Sequence, residues 1–137
     1  MRRFSRAWIA VAVLVAASAC GSDDDSTSPV VGASGTWALL SINGAALPTT
    51  IGSGTQAVSV IASTLTISSN GNYNEVITLR PAGASSNTTF TEIGTWSFSN
   101  GRVTFNDQTD GITYTGDVSG NTLTENTAGF VSVYARQ

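Results

Sequence analysis

From Gly35 onward, apolar and polar residues alternate in short runs, a pattern typical of β-strands whose side chains point to opposite faces of a sheet. The alternation predicts eight strands, at residues 35–42, 63–68, 73–80, 88–97, 102–106, 111–118, 122–125 and 129–136. A further run at 57–61 extends the second of these strands. No stretch after residue 30 has the helical apolar period, so we expect no helix longer than a turn or two.

Turn dipeptides separate the predicted strands and indicate that sequential strands pair as antiparallel neighbours. Asn-Gly and Asp-Gly supply the positive φ angles that short hairpin turns require. The dipeptides are Asn43-Gly44, Asn70-Gly71, Asn100-Gly101, Asp110-Gly111 and Gly120-Asn121. We therefore predict an all-β fold, an eight-stranded antiparallel up-and-down β-barrel, because closure removes exposed sheet edges. The alternative is an open sandwich, which is favoured if the long segments 46–56 and 81–87 are crossovers.

The N-terminus has the pattern of an export signal. Three arginines precede an apolar run at residues 7–19, which is 13 residues long and shorter than the ~20 that span a bilayer as a helix. The run ends in Ala17-Ser18-Ala19, directly before the chain's one cysteine, Cys20. Small residues at this place resemble the lipobox of bacterial lipoproteins, although that family usually has Leu where this chain has Ala17. The alternative is an ordinary A-x-A cleavage site that releases a soluble protein.

The lipoprotein resemblance implies that residues 1–19 are a removed signal peptide and that Cys20 is lipidated, with acyl chains such as palmitate. Three acyl chains anchor a protein far more firmly than one. Residues 20–34 read as a disordered linker, and the folded domain covers 35–137. The family's inner-membrane retention signal, an Asp after the cysteine, is replaced by Gly21. We therefore expect a lipid-anchored protein of the bacterial cell envelope, at the outer membrane.

Charge limits the classes of partner. After residue 19 the chain has three arginines, no lysine and nine carboxylates, a net charge of −6. So few cations cannot neutralise many phosphates, and we expect no nucleic-acid binding. With a single cysteine, the chain forms no internal disulfide. We expect a monomer whose partners are the membrane, through the lipid anchor, and a small ligand.

Several short motifs resemble those of bacterial lipocalin-like lipoproteins, which are calycin-type barrels. The motifs are Gly35-Thr36-Trp37, Leu65-Thr66-Ile67, Gly94-Thr95-Trp96, residues 100–105 and residues 118–124. Avidin-like barrels also begin with Gly-x-Trp. The lipocalin resemblance implies that Trp37 closes the base of the barrel and that Arg136 packs over it, with a cation–π contact of ~0.5–2 kcal/mol. The alternative is that Arg136 is a solvated residue at the chain end.

The chain contains no histidine and no second cysteine, which excludes Cys-His and Ser-His-Asp catalysis and the usual zinc sites. We therefore expect no enzymatic activity, no cofactor and no metal. Alternation places Glu75, Glu92 and Glu125 on the same strand faces as apolar residues. These glutamates then lie either at a solvent-exposed mouth of the barrel or against a ligand that bears hydrogen-bond donors or positive charge. A two-carboxylate hydrolase would need two of them facing each other across a cleft.

Spacing around Asp110 loosely matches a calcium loop, from Asn106 to Asp117, but the segment bridges two predicted strands and reads as a hairpin turn.

These patterns predict a barrel that binds a small, largely apolar ligand, since eight-stranded barrels can hold one small molecule. The predicted ligand-binding residues are inward-facing aromatic, aliphatic and acidic side chains. They are Trp96, Phe98, Phe105, Tyr114, Leu123, Glu75 and Glu92. The alternative is a structural or interaction lipoprotein of the cell envelope, whose barrel is completely filled and holds no ligand.

Overall fold

The computed structural model describes residues 32–137. Within them the chain forms ten strands and one short 3-10 helix, Gly54–Gln56. The first five strands are β1 (Gly35–Ile42), β2 (Ala45–Ala46), β3 (Thr49–Ile51), β4 (Val58–Ile67) and β5 (Asn72–Pro81). The others are β6 (Thr88–Ser99), β7 (Arg102–Asp107), β8 (Thr113–Ser119), β9 (Thr122–Thr127) and β10 (Phe130–Arg136).

Eight of these strands close into a barrel. Each strand from β4 to β10 pairs antiparallel with the next, and β1 pairs with both β10 and β4. The prediction of an eight-stranded antiparallel up-and-down barrel is therefore confirmed. The sandwich alternative is wrong, because β5 pairs directly with β6 and β4 lies beside β1, so neither long segment crosses between sheets. Strands β2 and β3, in the first long segment, pair with β1 and β4 respectively.

Two of the predicted Asn-Gly turns have positive φ at both residues, Asn43-Gly44 and Asn100-Gly101, as a tight hairpin turn demands. A third such turn, Ala128-Gly129, joins β9 to β10 and was not predicted. Alanine lacks the polar side chain that makes this conformation tolerable for asparagine, so the sequence pattern gave no signal. The run at 57–61 does extend the second predicted strand, because β4 is continuous from Val58 apart from a shift in register between Val60 and Ala62.

One end of the barrel is filled with large side chains. Trp37, Leu65, Val103, Phe105 and Leu123 are fully buried there, and the core continues into Ile67 and Tyr73. Tyr73 reaches the interior because residue 94, next to it across the β5–β6 pair, is a glycine; a Cβ at Gly94 would lie 2.6 Å from the Tyr73 ring. This filled half, called the closed end below, contains the first residues of β1 and the last of β10.

The predicted signal peptide at 1–19, the lipidation site Cys20 and most of the linker at 20–34 lie outside the described residues. Among residues 32–137, no helix is both long and apolar enough to cross a membrane.

Candidate functional site

A cavity of about 450 Å³ occupies the other end of the barrel, called the open end. Its walls come from the last residues of β1, the first of β4 and the last of β5, so it lies opposite the closed end. Most of the wall is apolar and includes Leu39, Ile42, Val60, Ile77, Leu79 and Tyr114. Phe90, Ile112 and Phe130 also line the cavity and are each about 40% exposed, at 41%, 44% and 38%. They therefore form an apolar rim at its mouth.

Five carboxylates line the same cavity: Glu75, Glu92, Asp107, Asp110 and Glu125. Three of them, Glu75, Asp107 and Glu125, are buried, each 4% exposed. Strand register brings Glu75 directly opposite Glu92 on neighbouring strands. Like charges in this arrangement destabilise a sheet, so the site has an electrostatic cost in the folded barrel.

Of the three glutamates in the cavity, Glu75 accepts the most hydrogen bonds from other side chains. Its Oε1 accepts hydrogen bonds from the Ser63 Oγ and, at 2.8 Å, from the Tyr134 hydroxyl. Ser63 lies on β4 and Tyr134 on β10, on either side of β1, so closure of the barrel brings both donors to one carboxylate. These are neutral donors, which stabilise a carboxylate but do not cancel its charge.

Glu125 is buried with fewer hydrogen bonds than Glu75. Its Oε1 has no hydrogen-bond partner, and neither has the Thr127 Oγ1, two residues further along β9 on the same face. Both residues line the cavity. Residue 116, opposite Glu125 on β8, is a glycine, and a Cβ there would lie 3.1 Å from the Glu125 Cγ and 2.7 Å from Leu123. The glycine leaves the space that the Glu125 side chain uses.

Burial raises the pKa of all three glutamates in the cavity. Desolvation is the largest cause for Glu125, whose pKa lies well above its ordinary value; the Glu75 charge raises this pKa further, against the lowering effect of the Tyr134 hydroxyl. Burial likewise raises the pKa of Glu75, against the lowering effect of the bonds from Ser63 and Tyr134. Desolvation, with the charges of Glu75, Asp107 and Asp110, raises the pKa of Glu92 to about 7. Without a cation, the site therefore favours neutral carboxyl groups.

The pKa values of the adjacent tyrosines are raised as well. Burial raises the pKa of Tyr73 to about 12, and it raises the pKa of Tyr114 and Tyr134 well above their ordinary value. The Tyr114 hydroxyl donates to the Tyr73 hydroxyl at 3.4 Å, and Phe105 stacks on Tyr114 with ring centroids 5.0 Å apart. The tyrosines are neutral donors here and cannot act as bases near neutral pH.

Asp107, Asp110 and Glu92 form a second acidic group near the mouth, with oxygens within 4.8 Å of one another. Asp107 ends β7, and its Oδ1 accepts from the backbone N–H of Thr109 at 2.7 Å and of Asp110 at 3.4 Å. An aspartate that bonds its own backbone in this way stabilises a turn. The segment after Asn106 is thus a hairpin turn, as the sequence predicted, and it brings Asp110 to the cavity.

The cations of the described residues lie elsewhere. Arg102 makes an exposed ion pair with Asp117 at 2.9 Å, and Arg80 Nε donates to the Asn87 side chain. Arg136 lies at the closed end, and its guanidinium donates to the backbone carbonyls of Ser34 and Gly32. None of these three arginines lines the cavity.

The structure brings Trp37 and Arg136 together. The Arg136 Cζ lies 4.2 Å from the centroid of the Trp37 ring, and the two residues are directly opposed in the β1–β10 register. The Trp37 Nε1 donates to the Ala33 carbonyl at 2.9 Å, so the polar atom of this fully buried ring is satisfied. The contact ties the first barrel strand to the last.

The residues predicted to bind ligand divide into two groups. Glu75, Glu92 and Tyr114 line the cavity. The others lie outside its lining: Phe105 and Leu123 are fully buried in the core, while Trp96 and Phe98 pack against the core from the closed end. Trp96 Nε1 is also occupied, donating to the Ser68 carbonyl at 2.9 Å. Alternation distinguishes inward from outward positions. It does not show which inward positions lie in the packed closed end and which line the cavity.

Seven further polar residues of the lining were not among the predicted ligand-binding positions: Ser63, Asp107, Asp110, Glu125, Thr127, Ser132 and Tyr134. Alternation does place Asp107 on the face of Val103 and Phe105, and Glu125 on the face of Leu123, so both signals were present in the sequence. Ser63 follows the register shift in β4, where the alternation is interrupted. Asp110 reaches the cavity from a turn, where no periodicity applies.

Comparison with known proteins shows only distant likeness. No protein-family model matches the chain, and no curated protein matches it. Among solved structures, it is similar to the Cpx pathway activator NlpE from Escherichia coli, with 16% sequence identity and a TM-score of 0.42. The match covers 58% of this chain and 40% of that chain, so this protein spans well under half of its neighbour. Lipocalin-like membership stays a prediction.

Proposed function

We propose that this chain is a membrane-anchored, lipocalin-like lipoprotein of the bacterial cell envelope, and that its barrel binds a small, largely apolar ligand. The observation that supports binding most directly is the cavity of about 450 Å³ at the open end. Its volume lies within the range of ~300–1,000 Å³ that is common for small-molecule sites, and its walls are mainly apolar with a few convergent polar groups.

The rim supports the same proposal. Phe90, Ile112 and Phe130 are large apolar residues that remain about 40% exposed, at 41%, 44% and 38%, around the mouth of the cavity. Such residues lose exposed surface when an apolar ligand occupies the mouth, and each Å² removed from water contributes ~25 cal/mol.

We infer a binding role and not an enzymatic one. The described residues contain no histidine and no cysteine, so they offer no nucleophile–histidine pair. The proposed location is the outer membrane, through lipid attached to Cys20, with a monomeric barrel as the folded unit.

Native mass spectrometry of the gently purified full-length chain tests the binding proposal. Wild-type protein should retain a reproducible small-molecule adduct. Ile77→Trp fills the cavity and should lose the adduct, whereas Val76→Trp, on the outer face of the same strand and 38% exposed, should keep it. Circular dichroism checks that both variants fold, and Leu79→Trp is a second cavity-filling variant.

Two outcomes contradict this proposal. A bare mass for wild-type protein from several growth conditions supports the alternative of an interaction lipoprotein with no ligand. An adduct that survives in both Ile77→Trp and Leu79→Trp places the small molecule outside the cavity.

The anchor has a separate test. Cys20→Ala should abolish acylation and move the chain from the membrane fraction to the soluble fraction. Fractionation that does not change would refute the lipid anchor while leaving the cavity proposal intact.

A further inference from the structure

We propose that the ligand is a cationic amphiphile, with an apolar body along the cavity walls and an ammonium-type nitrogen head against Glu125, Glu75 and Glu92. This inference rests on the proposed function, since it needs a ligand in the barrel. It adds the charge and the chemical class of the ligand's head.

The first observation concerns unpaired polar atoms. Among the described residues, the buried side-chain polar atoms without a hydrogen-bond partner are Glu125 Oε1 and Thr127 Oγ1. Both belong to β9 and both line the cavity. Folded proteins pair nearly all such atoms, because leaving one unpaired costs ~1–3 kcal/mol. Two unpaired atoms in one cavity indicate that a donor from outside the chain completes the site.

The second observation is the charge balance. Five carboxylates line the cavity, Glu75 and Glu92 lie opposite each other, and no arginine among residues 32–137 lines it. Buried charges in proteins are normally paired with an opposite charge. Here that partner is missing from the described chain, although Arg102 on the outer surface is paired with Asp117. A ligand cation would provide the missing positive charge.

An ammonium group fits the available acceptors. It presents three N–H donors and no acceptor. Among the hydroxyl groups that line the cavity, those of Ser63 and Tyr134 donate to Glu75 Oε1, and that of Tyr114 donates to Tyr73. Glu125 Oε1 and Thr127 Oγ1 thus remain for the ligand. Bonds between an ammonium and a carboxylate are about twice as strong as neutral hydrogen bonds. The apolar walls and rim account for the rest of the molecule.

A divalent metal fits less well. The group of Glu92, Asp107 and Asp110 offers three carboxylates within 4.8 Å, but one Asp107 oxygen already accepts two backbone N–H bonds. Calcium takes 6–8 oxygen ligands. The remaining surroundings are mainly aliphatic and aromatic, and neither unpaired atom belongs to this group.

Isothermal titration calorimetry of the full-length processed chain with octylamine, octanol and calcium chloride tests the inference. Octylamine and octanol have the same apolar body and differ in the head. At pH 8 we expect octylamine to bind at least about tenfold more tightly than octanol, as one charge-assisted contact contributes about that factor.

Matched variants identify the contact. Glu125→Gln keeps the shape of the side chain but removes its charge, and it should weaken octylamine binding about tenfold while leaving octanol binding unchanged. Asp117→Asn is the control, because it removes one negative charge from the outer surface, where the residue is exposed. It should not change binding of either probe. Glu75→Gln provides a second variant if Glu125→Gln fails to fold.

The outcomes separate this inference from the proposed function. Equal binding of octylamine and octanol would overturn the cationic head and leave the apolar cavity site standing. No binding of either probe would count against both. Stoichiometric calcium uptake that is lost in Asp110→Asn, without preference for octylamine, would assign the carboxylates to a metal and overturn the inference. Octylamine binding that is unaffected by both Glu125→Gln and Glu75→Gln would also overturn it.

Discussion

The two ends of this barrel are built from the same eight strands but differ in how their interior is filled. Side chains pack the closed end, whereas the open end contains a cavity. At the closed end, Trp37 and Leu65 are fully buried, and the indole N–H of Trp37 has a partner. At the open end, Glu125 is also buried, with 4% of its surface exposed, yet one of its oxygens has no partner. Packing with satisfied polar atoms is typical of a structural core, whereas hidden polar atoms without partners are typical of a site that is completed by binding. The contrast separates the part of the barrel that stabilises the fold from the part that is available for function.

The largest expected effect is at the closed end. Trp37→Ala should lower the free energy of unfolding by ~3–5 kcal/mol, because it leaves a cavity where a fully buried indole packed. Chemical denaturation measures the change. Leu40→Ala is the control, since Leu40 is 51% exposed and its loss should cost under ~0.5 kcal/mol. Equal losses for the two variants would show that the closed end is not the stabilising half.

Arg136→Ala should give the next largest loss, about 2 kcal/mol, because it removes the guanidinium over Trp37 and its bonds to two backbone carbonyls. The matched control is Arg102→Ala, which removes an exposed ion pair and should cost at most ~1 kcal/mol. Thermal unfolding of both variants under one buffer compares them. A smaller loss for Arg136→Ala than for Arg102→Ala would contradict a role in closing the barrel.

The open end should make stability depend on pH. The pKa of Glu92 is raised to about 7 in the folded chain, so the folded state holds a proton that the unfolded chain releases near pH 4.5. The stabilisation from this proton is complete below about pH 4.5 and is lost as pH rises through about 7. We expect a loss of about 1 kcal/mol, after allowance for solvent screening at this half-buried group.

Unfolding measured between pH 4.5 and 8 checks this prediction, and Glu92→Gln should flatten the profile. Other titratable groups that face Glu92 belong to several elements around the cavity. They are Tyr73 and Glu75 on β5, Asp107 on β7, Asp110 in the following turn, Tyr114 on β8, Glu125 on β9 and Tyr134 on β10. The pKa of Glu75 and of Glu125 is also raised, so part of the slope should remain in the variant. Stability that rises with pH over this range would contradict the assignment.

The smallest effect is expected in the turn at the rim of the open end. Ala128 has a φ of 49°, which an alanine adopts only at an energetic cost, and Gly129 follows it. Ala128→Asn should raise the free energy of unfolding by ~0.5–1 kcal/mol, because asparagine tolerates this conformation. The control is Ala82→Asn at an exposed alanine without positive φ, where no gain is expected. Denaturation curves compare the two, and a gain of the same size in the control would exclude backbone relief as the cause.

Much of the candidate site could be predicted from residues and their alternation. Glu75 and Glu92 follow the same inward face as Ile77 and Phe90, and both line the cavity. Tyr114, predicted to bind the ligand, also lines the cavity. Trp96 and Phe98 follow an equally clear alternation, yet they pack against the core outside the cavity lining. Period-2 patterning distinguishes inside from outside, and it does not distinguish a filled half of a barrel from an open one.

The local sequence was sufficient for the eight barrel strands, two of the Asn-Gly turns and the inward faces, because backbone conformation and side-chain alternation depend on near neighbours. Of the contacts between distant residues, the lipocalin resemblance implied the pair of Trp37 and Arg136, and tertiary structure alone decided the others. Trp37 meets Arg136 because β1 pairs with β10, and Glu75 receives bonds from Ser63 and Tyr134 because the barrel closes. The position of the cavity was decided in the same way, since free volume depends on how side chains from all eight strands fill a shared interior.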